Sequence, residues 1–278
     1  MTDPRHFRYL LLTLFSLLFL KAAADDTVAR PVVSTYRLEI GRGEARSTYL
    51  SPLRYSGPLF AFSAEWQKAF NRNPENTVMT FAAFARYRNM LNPPHSARML
   101  GFDAAFNWGL AYRKRLPHSF QLTAGGLLDI NGGALYLPRN GNNPVTALAS
   151  AGIDLDFSFS RRFELGRLPV IVADRVCLPV IGAFFCPGYG ETFYEIYVGN
   201  RKGLAHCGWW GNNFGIGNYL SLKLDFGRTA LEIGYRYDYR STYANHLTTR
   251  VSGNTFVIGV IPGGLGLKKK SLINSPLY

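Results

Sequence analysis

Two groups of residues in this sequence have the types and spacing to do chemistry. The first is a set of charges set between apolar or aromatic neighbours: Glu65, Asp103, Asp129, Asp154, Asp156, Lys223, Asp225, Glu232, Arg236, Asp238 and Arg240. Charges gathered on one face of a sheet must pair as ions where water is excluded. If a wet path runs between them, they instead select solutes by charge. Acids on the middle segments facing Arg and Lys of the late ones across a narrow lumen predict a salt-bridged plug, with a charged solute path as the alternative. The second group is Tyr189, Glu191, Tyr194, Glu195 and Tyr197. Its carboxylates and rings suit a sugar or a protein partner. The competing reading is an aromatic girdle at a membrane interface, and Trp209-Trp210 reads the same way.

Other constellations fail on geometry. His95-Ser96 and His118-Ser119 are adjacent pairs. Neighbouring strand residues take opposite faces, so neither pair can join nucleophile to base. His246 beside Asn245 falls in a loop, and nothing resembles the barrel lipases or lipid-A deacylases. Cys177, Cys186 and Cys207 are an odd number in an exported chain, so one pair at most can close. His206 beside Cys207 lacks the spacing of a metal site. The expectation is no enzyme activity, no cofactor and no metal.

The elements that must position these residues are strands. From Leu100 to Tyr112, Leu100, Phe102, Ala104, Phe106, Trp108, Leu110 and Tyr112 take one face. Gly101, Asp103, Ala105, Asn107, Gly109 and Ala111 take the other. An apolar face flanked by aromatics, opposite a small polar one, suits the wall of a membrane barrel. The same alternation recurs at Phe60–Trp66, Phe120–Ile130, Ala147–Phe159, Leu220–Phe226, Leu231–Arg240 and Phe256–Val260. Thr77–Arg88 is apolar on both faces near its middle. Leu168–Phe185 breaks the pattern with Pro169 and Pro179, which predicts bent strands paired around Pro179. Turns are expected at Ser56-Gly57-Pro58 and Arg113–His118, a long loop over Asn131–Pro144, and a polar-aromatic strand or loop over Glu191–Gly199.

The start of the chain sets the compartment. Arg5 and Arg8 precede an apolar run from Tyr9 to Leu20, and Ala22-Ala23-Ala24 follows. That order is a secretory signal peptide. The run is about 12 residues, short of the roughly 20 that span a bilayer as a helix. Charged residues are 18% of the chain and aromatics 14%, with a mean hydropathy of −0.04, which suits a wall whose every second residue is polar. The formal net charge of +13 would suit nucleic acid, but there is no basic helix, zinc module or aromatic-basic RNA motif, and export argues against that partner. Solvated rim charge, facing lipid headgroups and lipopolysaccharide phosphates, is the reading kept.

Two blocks carry a resemblance. The stretch from Leu178 to Tyr197, with Cys186-Pro187-Gly188-Tyr189-Gly190 at its centre, resembles the central signature of an uncharacterised family of Bacteroidota exported proteins, domain of unknown function 3316. Thr48 to Gly57 is similar to that family's first block, and Leu231–Tyr235 and Phe256–Gly259 fit its late strands. The resemblance implies an outer-membrane barrel with no assigned activity, so no catalytic residue is carried over. One departure stands out. Pro262-Gly263-Gly264 and Lys268-Lys269-Lys270 intervene before the terminal Tyr278, where such chains commonly finish on a closing strand.

The sequence therefore predicts an all-β, antiparallel transmembrane barrel of about 12 strands (roughly 10–14) in the outer membrane of a Gram-negative bacterium. Residues 1–24 form the signal peptide, 25–262 the barrel and 263–278 a basic tail. The expected function is structural, or that of a subunit in a surface assembly. A narrow channel and a lipid-modifying enzyme are the alternatives, and a soluble periplasmic β-sandwich is the rival fold.

Overall fold

The strand around Asp103 shows how the sequence builds the wall. Along it Phe102 and Phe106 are 56% and 43% exposed, while Gly101, Asp103 and Ala105 are buried. An element with its apolar side outside and its polar side inside is inverted relative to a soluble sheet. From Phe102 to Tyr112 the outward face runs about 33 Å along the strand, or roughly 25 Å along the axis of a barrel whose strands tilt by about 40°, the height of a hydrocarbon core.

In this computed structural model, residues 32–141, 143–199 and 202–266 are described. The expected signal peptide and residues 267–278 of the tail lie outside them. Twelve strands form one sheet: β1 (Val33–Ser47), β2 (Ser51–Ala69), β3 (Thr77–Leu91), β4 (Arg98–Leu116), β5 (Phe120–Tyr136), β6 (Val145–Ala147), β7 (Ser150–Leu165), β8 (Leu168–Phe185), β9 (Ala205–Trp209), β10 (Asn213–Asp225), β11 (Thr229–Ala244) and β12 (Leu247–Pro262). A short helix, α1 (Phe193–Tyr197), precedes β9. Every pairing is antiparallel, and β1 pairs with β12 while β8 pairs with β10, so the sheet closes on itself. β6 and β9 stand outside the closed ring, extending β5 and β8 at one end.

The ends of the barrel differ. β1 begins and β12 ends at what we term the terminal rim, where the other connections are short: residues 70–76, 117–119, 166–167 and 226–228. The opposite, loop rim carries residues 137–149 with β6, and 186–212 with α1 and β9. Leu50, Tyr55, Met90, Met99, Leu135 and Leu137 pack as an apolar cluster inside the loop rim. At the terminal rim the chain turns back after β12, and Leu265, 1% exposed, packs against Val33, Ile171, Ala230 and Ile261. Gly263, Gly264 and Gly266 all sit at positive φ, a conformation that glycine adopts without penalty.

Several local expectations are corrected. Ser56-Gly57-Pro58 is not a turn; it lies inside β2, which pairs with β3 at Ser56 and again from Leu59, passing over Pro58, which has no N–H to give. β4 runs on to Leu116 and β5 to Tyr136, so the turn and loop expected there are shorter. Leu168–Phe185 is one strand rather than a pair. β8 bonds to β10 as far as Cys177 and to β9 from Ile181, and its register on β7 slips between Pro179 and Ile181. Pro179 falls in that change of partners, where no ladder donor is required.

Prediction: Phe106→Lys places a charge near the middle of the outward face. It should lower the unfolding free energy in lipid bilayers by about 2–4 kcal/mol, read from denaturant titration of refolded protein.

Candidate functional site: the charged barrel interior

The inward positions of the wall bring charges from nine of the strands together. At the centre Arg37 of β1 donates from Nε to Glu232 Oε2 at 2.6 Å and from Nη2 to Glu65 Oε1 at 3.3 Å. Arg175 of β8 holds Asp156 with two bonds, at 2.7 and 3.0 Å, and donates from Nη1 to Glu65 Oε2 at 2.8 Å. Glu65 thus joins two guanidiniums from opposite parts of the ring. Lys223 Nζ lies 3.7 Å from Glu232. Glu39 accepts from Ser63 and Thr255, each at 3.1 Å. Arg236 Nε is 3.2 Å from Glu39, but its N–H does not line up with that oxygen, so this pair is ionic rather than hydrogen bonded.

Aromatic rings help hold these cations in place. Arg37 and Arg236 lie over the Tyr219 ring at 5.3 and 4.4 Å, and Arg236 and Arg86 lie over the Phe84 ring at 5.1 and 5.8 Å. The result is a run of Arg37, Tyr219, Arg236, Phe84 and Arg86 across the lumen, each contact adding to the ion pairs. Gly234 makes room for it. A Cβ there would stand 2.7 Å from Tyr219 Cε2.

A second cluster lies nearer the loop rim. Arg86 donates to Asp103 Oδ2 at 2.8 Å and Arg88 to Asp103 Oδ1, and Arg86 reaches Asp238 at 3.5 Å. Asn107 and Arg240 donate to Asp129 at 2.8 and 2.9 Å, and Arg240 also donates to Ser150 at 2.9 Å. Asp154 is 3.9 Å from Arg240. Two cavities flank the central layer: about 210 Å³ on the loop-rim side and about 80 Å³ on the terminal-rim side. Glu65, Arg175 and Tyr219 line both.

Of the charges singled out from sequence, ten meet in this interior. Asp225 does not. It is fully buried at the end of β10, where Oδ1 accepts from Gly227 N at 2.8 Å and fixes the β10–β11 turn. Sequence reasoning missed five partners: Arg37, Glu39, Arg86, Arg88 and Arg175. Arg37 and Glu39 alternate with Tyr36, Leu38 and Ile40, so the period of two already marked them. Arg86 and Arg88 were hidden because Phe84, one step away on the same strand face, also points inward. Arg175 sits between prolines that obscured its strand.

The tyrosine block lies apart, on the loop rim. Residues 193–197 form α1, not the expected strand or loop. Thr192 and Glu195 make a capping box: Glu195 N donates to Thr192 Oγ1 at 3.2 Å, and Thr192 N donates to Glu195 Oε2 at 2.7 Å. Thr192 Oγ1 also donates to Glu195 Oε2 at 2.9 Å, and the two bonds from Thr192, backbone first and hydroxyl second, hold the Glu195 carboxyl below its usual range. Glu191 accepts from Gly188 N at 2.8 Å. Both carboxylates serve the local backbone, while Tyr189, Tyr194 and Tyr197 are exposed. Tyr49, in the β1–β2 turn, donates to Glu191 O at 2.9 Å and ties this loop down. The cysteines are all free: Cys177 within the lumen, Cys186 buried under the loop rim and Cys207 exposed on β9.

Closed antiparallel wall, outward apolar band and inward charge together define an outer-membrane-type β-barrel. The chain belongs to the family described as "Protein of unknown function (DUF3316)", whose profile matches residues 8–271. No curated protein matches the chain significantly. Among solved structures it is similar to Neisserial surface protein A (NspA), with 10% identity, a TM-score of 0.36, and 82% of this chain and 96% of that chain covered. It is also similar to the translocator domain of the autotransporter NalP from Neisseria meningitidis, with 10% identity, a TM-score of 0.42, and 93% and 97% covered. The beta domain of the Bordetella autotransporter BrkA matches with 10% identity, a TM-score of 0.41, and 83% and 98% covered.

Two predictions follow from these contacts. Glu65→Ala strands Arg37 and Arg175 without their shared anion and should cost on the order of 3–5 kcal/mol, seen as an earlier denaturant midpoint. Thr192→Ala removes one of the donors to Glu195, so the Glu195 carboxyl should titrate at higher pH in NMR. Helical signal from the loop that depends on this ionised carboxylate is present above its ordinary pKa and is lost as pH falls through the depressed one.

Proposed function

We propose that this protein is a non-catalytic barrel of a Gram-negative outer membrane whose lumen is closed to solutes. It acts as a structural component or as a subunit of a surface assembly. The loop rim faces outside and the terminal rim faces the periplasm, the arrangement in which long connections lie outside and short turns within. The observation that carries this reading is the wall of side chains common to both cavities. A solute entering from the loop rim meets Glu65, Arg175 and Tyr219, each held by several partners. Exposed Arg46, Arg54, Arg98, Arg139 and Arg250 lie toward the loop rim, placed to meet lipopolysaccharide phosphates.

The alternative of a narrow channel rests on the same cavities, because withdrawing Arg175 and Tyr219 would join them. Planar-bilayer recording separates the two. The expected result is silence from the native protein and ohmic steps from the Arg175→Ala, Tyr219→Ala double variant. Steady steps from the native protein would overturn the closed lumen.

A further inference from the structure

One seam of the wall loses its ladder beside the larger cavity. β8 and β10 pair from Val170 with Leu224 up to Cys177 with Gly217, and no further. Beyond that point β10 keeps β11 on one edge, while its residues Asn213–Ile216 have no ladder partner on the other among the described residues. β8 takes β9 instead, but only from Ile181. Leu178, Pro179 and Val180 are thus unpaired on this edge, and Val180 is unpaired on β7 as well. Backbone groups facing hydrocarbon need partners, so a stretch without a ladder calls for another seal.

Side chains supply that seal. Trp210 Nε1 donates to the Pro179 carbonyl in place of a backbone donor. The Pro179 ring faces Gly215, where a Cβ would stand 3.1 Å from its Cγ. Parting this stretch therefore breaks an indole bond and ring packing rather than a ladder. Outside it, Ile153, Ile181 and Phe214 are exposed, and the Phe214 ring lies against Tyr239, so the seam gives onto the apolar face of the wall. Inside, Pro179, Gly215, Ile216 and Gly217 line the larger cavity. The least bonded part of the wall is thus what separates that cavity from acyl chains.

The lining of the cavity decides what could pass. Its five arginines and five carboxylates balance, which favours a guest without net charge. Leu127, Leu148 and Phe184 give it an apolar side. Arg88 Nε and the Tyr219 hydroxyl, on side chains less than a tenth exposed, have no hydrogen-bond partner among the described residues, and both residues line the same space. They are donors for an oxygen acceptor. We propose that the β8–β10 seam is a lateral gate, through which a single-chain amphiphile with an uncharged, oxygen-bearing head passes between the membrane and the larger cavity. Its chain lies on Leu127 and Phe184, and its head is turned toward Arg88 and Tyr219. The gate rests on the reading of a closed lumen, since an open pore would pass the molecule on instead of holding it.

The test uses the full barrel in phosphatidylcholine vesicles. The probe is 1-dodecanoylglycerol with a diazirine on its chain, and mass spectrometry locates the photolabel. Outward Phe106 should be labelled in every variant, because that face meets the probe in any case. Labelling of inward Leu127 and Phe184 reports entry. Pro179→Cys with Gly215→Cys, in a background of Cys177→Ser, Cys186→Ser and Cys207→Ser, staples the seam when oxidised and releases it in dithiothreitol. Oxidation should abolish the inward labelling, and reduction should restore it. Trp210→Ala in the otherwise native chain removes the indole seal at an exposed position and should raise inward labelling above the native level, a readout independent of the staple. Inward labelling that is absent, equal in stapled and released protein, or unmoved by Trp210→Ala would overturn the gate. Bilayer recording of the same protein tells the two failures apart. Steady conductance refutes the closed lumen, whereas a silent barrel without inward labelling refutes only the gate.

Discussion

The structure depends first on backbone hydrogen bonding where no water is available. A strand in hydrocarbon must find partners on both edges, so the sheet has to close. Pairing of Tyr36 with Val260 and of Leu222 with Val172 provides closure on two sides of the ring. Once it is closed, each residue has one of two fates: against acyl chains or in the lumen. Phe102 beside Asp103 is therefore a direct consequence of closure, and so is the crowding of charge inside.

That crowding sets the second constraint. Charges drawn out of water are tolerated when each has a partner of good geometry, and removing one partner then costs more than the pair contributes. Here pairs are shared rather than isolated. Glu65 bridges Arg37 on an early strand to Arg175 on a late one, and Tyr219 is clasped between Arg37 and Arg236. Links of such sequence separation tie distant parts of the wall across its diameter, where neighbouring strands alone would leave it free to flatten.

Much of this was legible because a period of two is a strong signal over a long strand. The outward aromatics of β4 and β7, and the inward acids of β5, β7 and β11, follow from alternation alone. What was not legible had a local cause. Phe84 faces inward as a stacking platform for Arg86 and Arg236, so β3 lost its contrast and its cations went unnoticed. Gly57-Pro58 and Pro179 resemble breaks but fall where β2 and β8 lack a ladder partner on one edge, while the other edge stays paired with β1 and β7. Asp225 has the alternation of a lumen residue, yet it lies at the last position of its strand and bonds to the turn. Capping of α1 by Thr192 and Glu195 was written in the sequence as a Thr-x-x-Glu spacing, but surrounding tyrosines drew the reading toward a strand.

The two ends of the lumen solve opposite problems. At the terminal rim the chain leaves β12 and folds Leu265 back beneath the barrel, using three glycines at positive φ to make the reversal. The smaller cavity thus lies between this apolar floor and the layer around Glu65. At the loop rim an apolar cluster around Met90, Met99 and Leu135 occupies one side, but the larger cavity stands beside it toward β7, β8 and β11. A barrel needing only rigidity could have filled that space with side chains, as its other half nearly does. Gly215 and Gly217 on β10 face this cavity and give it nothing to fill it with, while Asp129, Asp154 and Asp238, with Arg236 and Arg240, give it charge of both signs. The asymmetry is therefore written into side-chain size as well as into loop length.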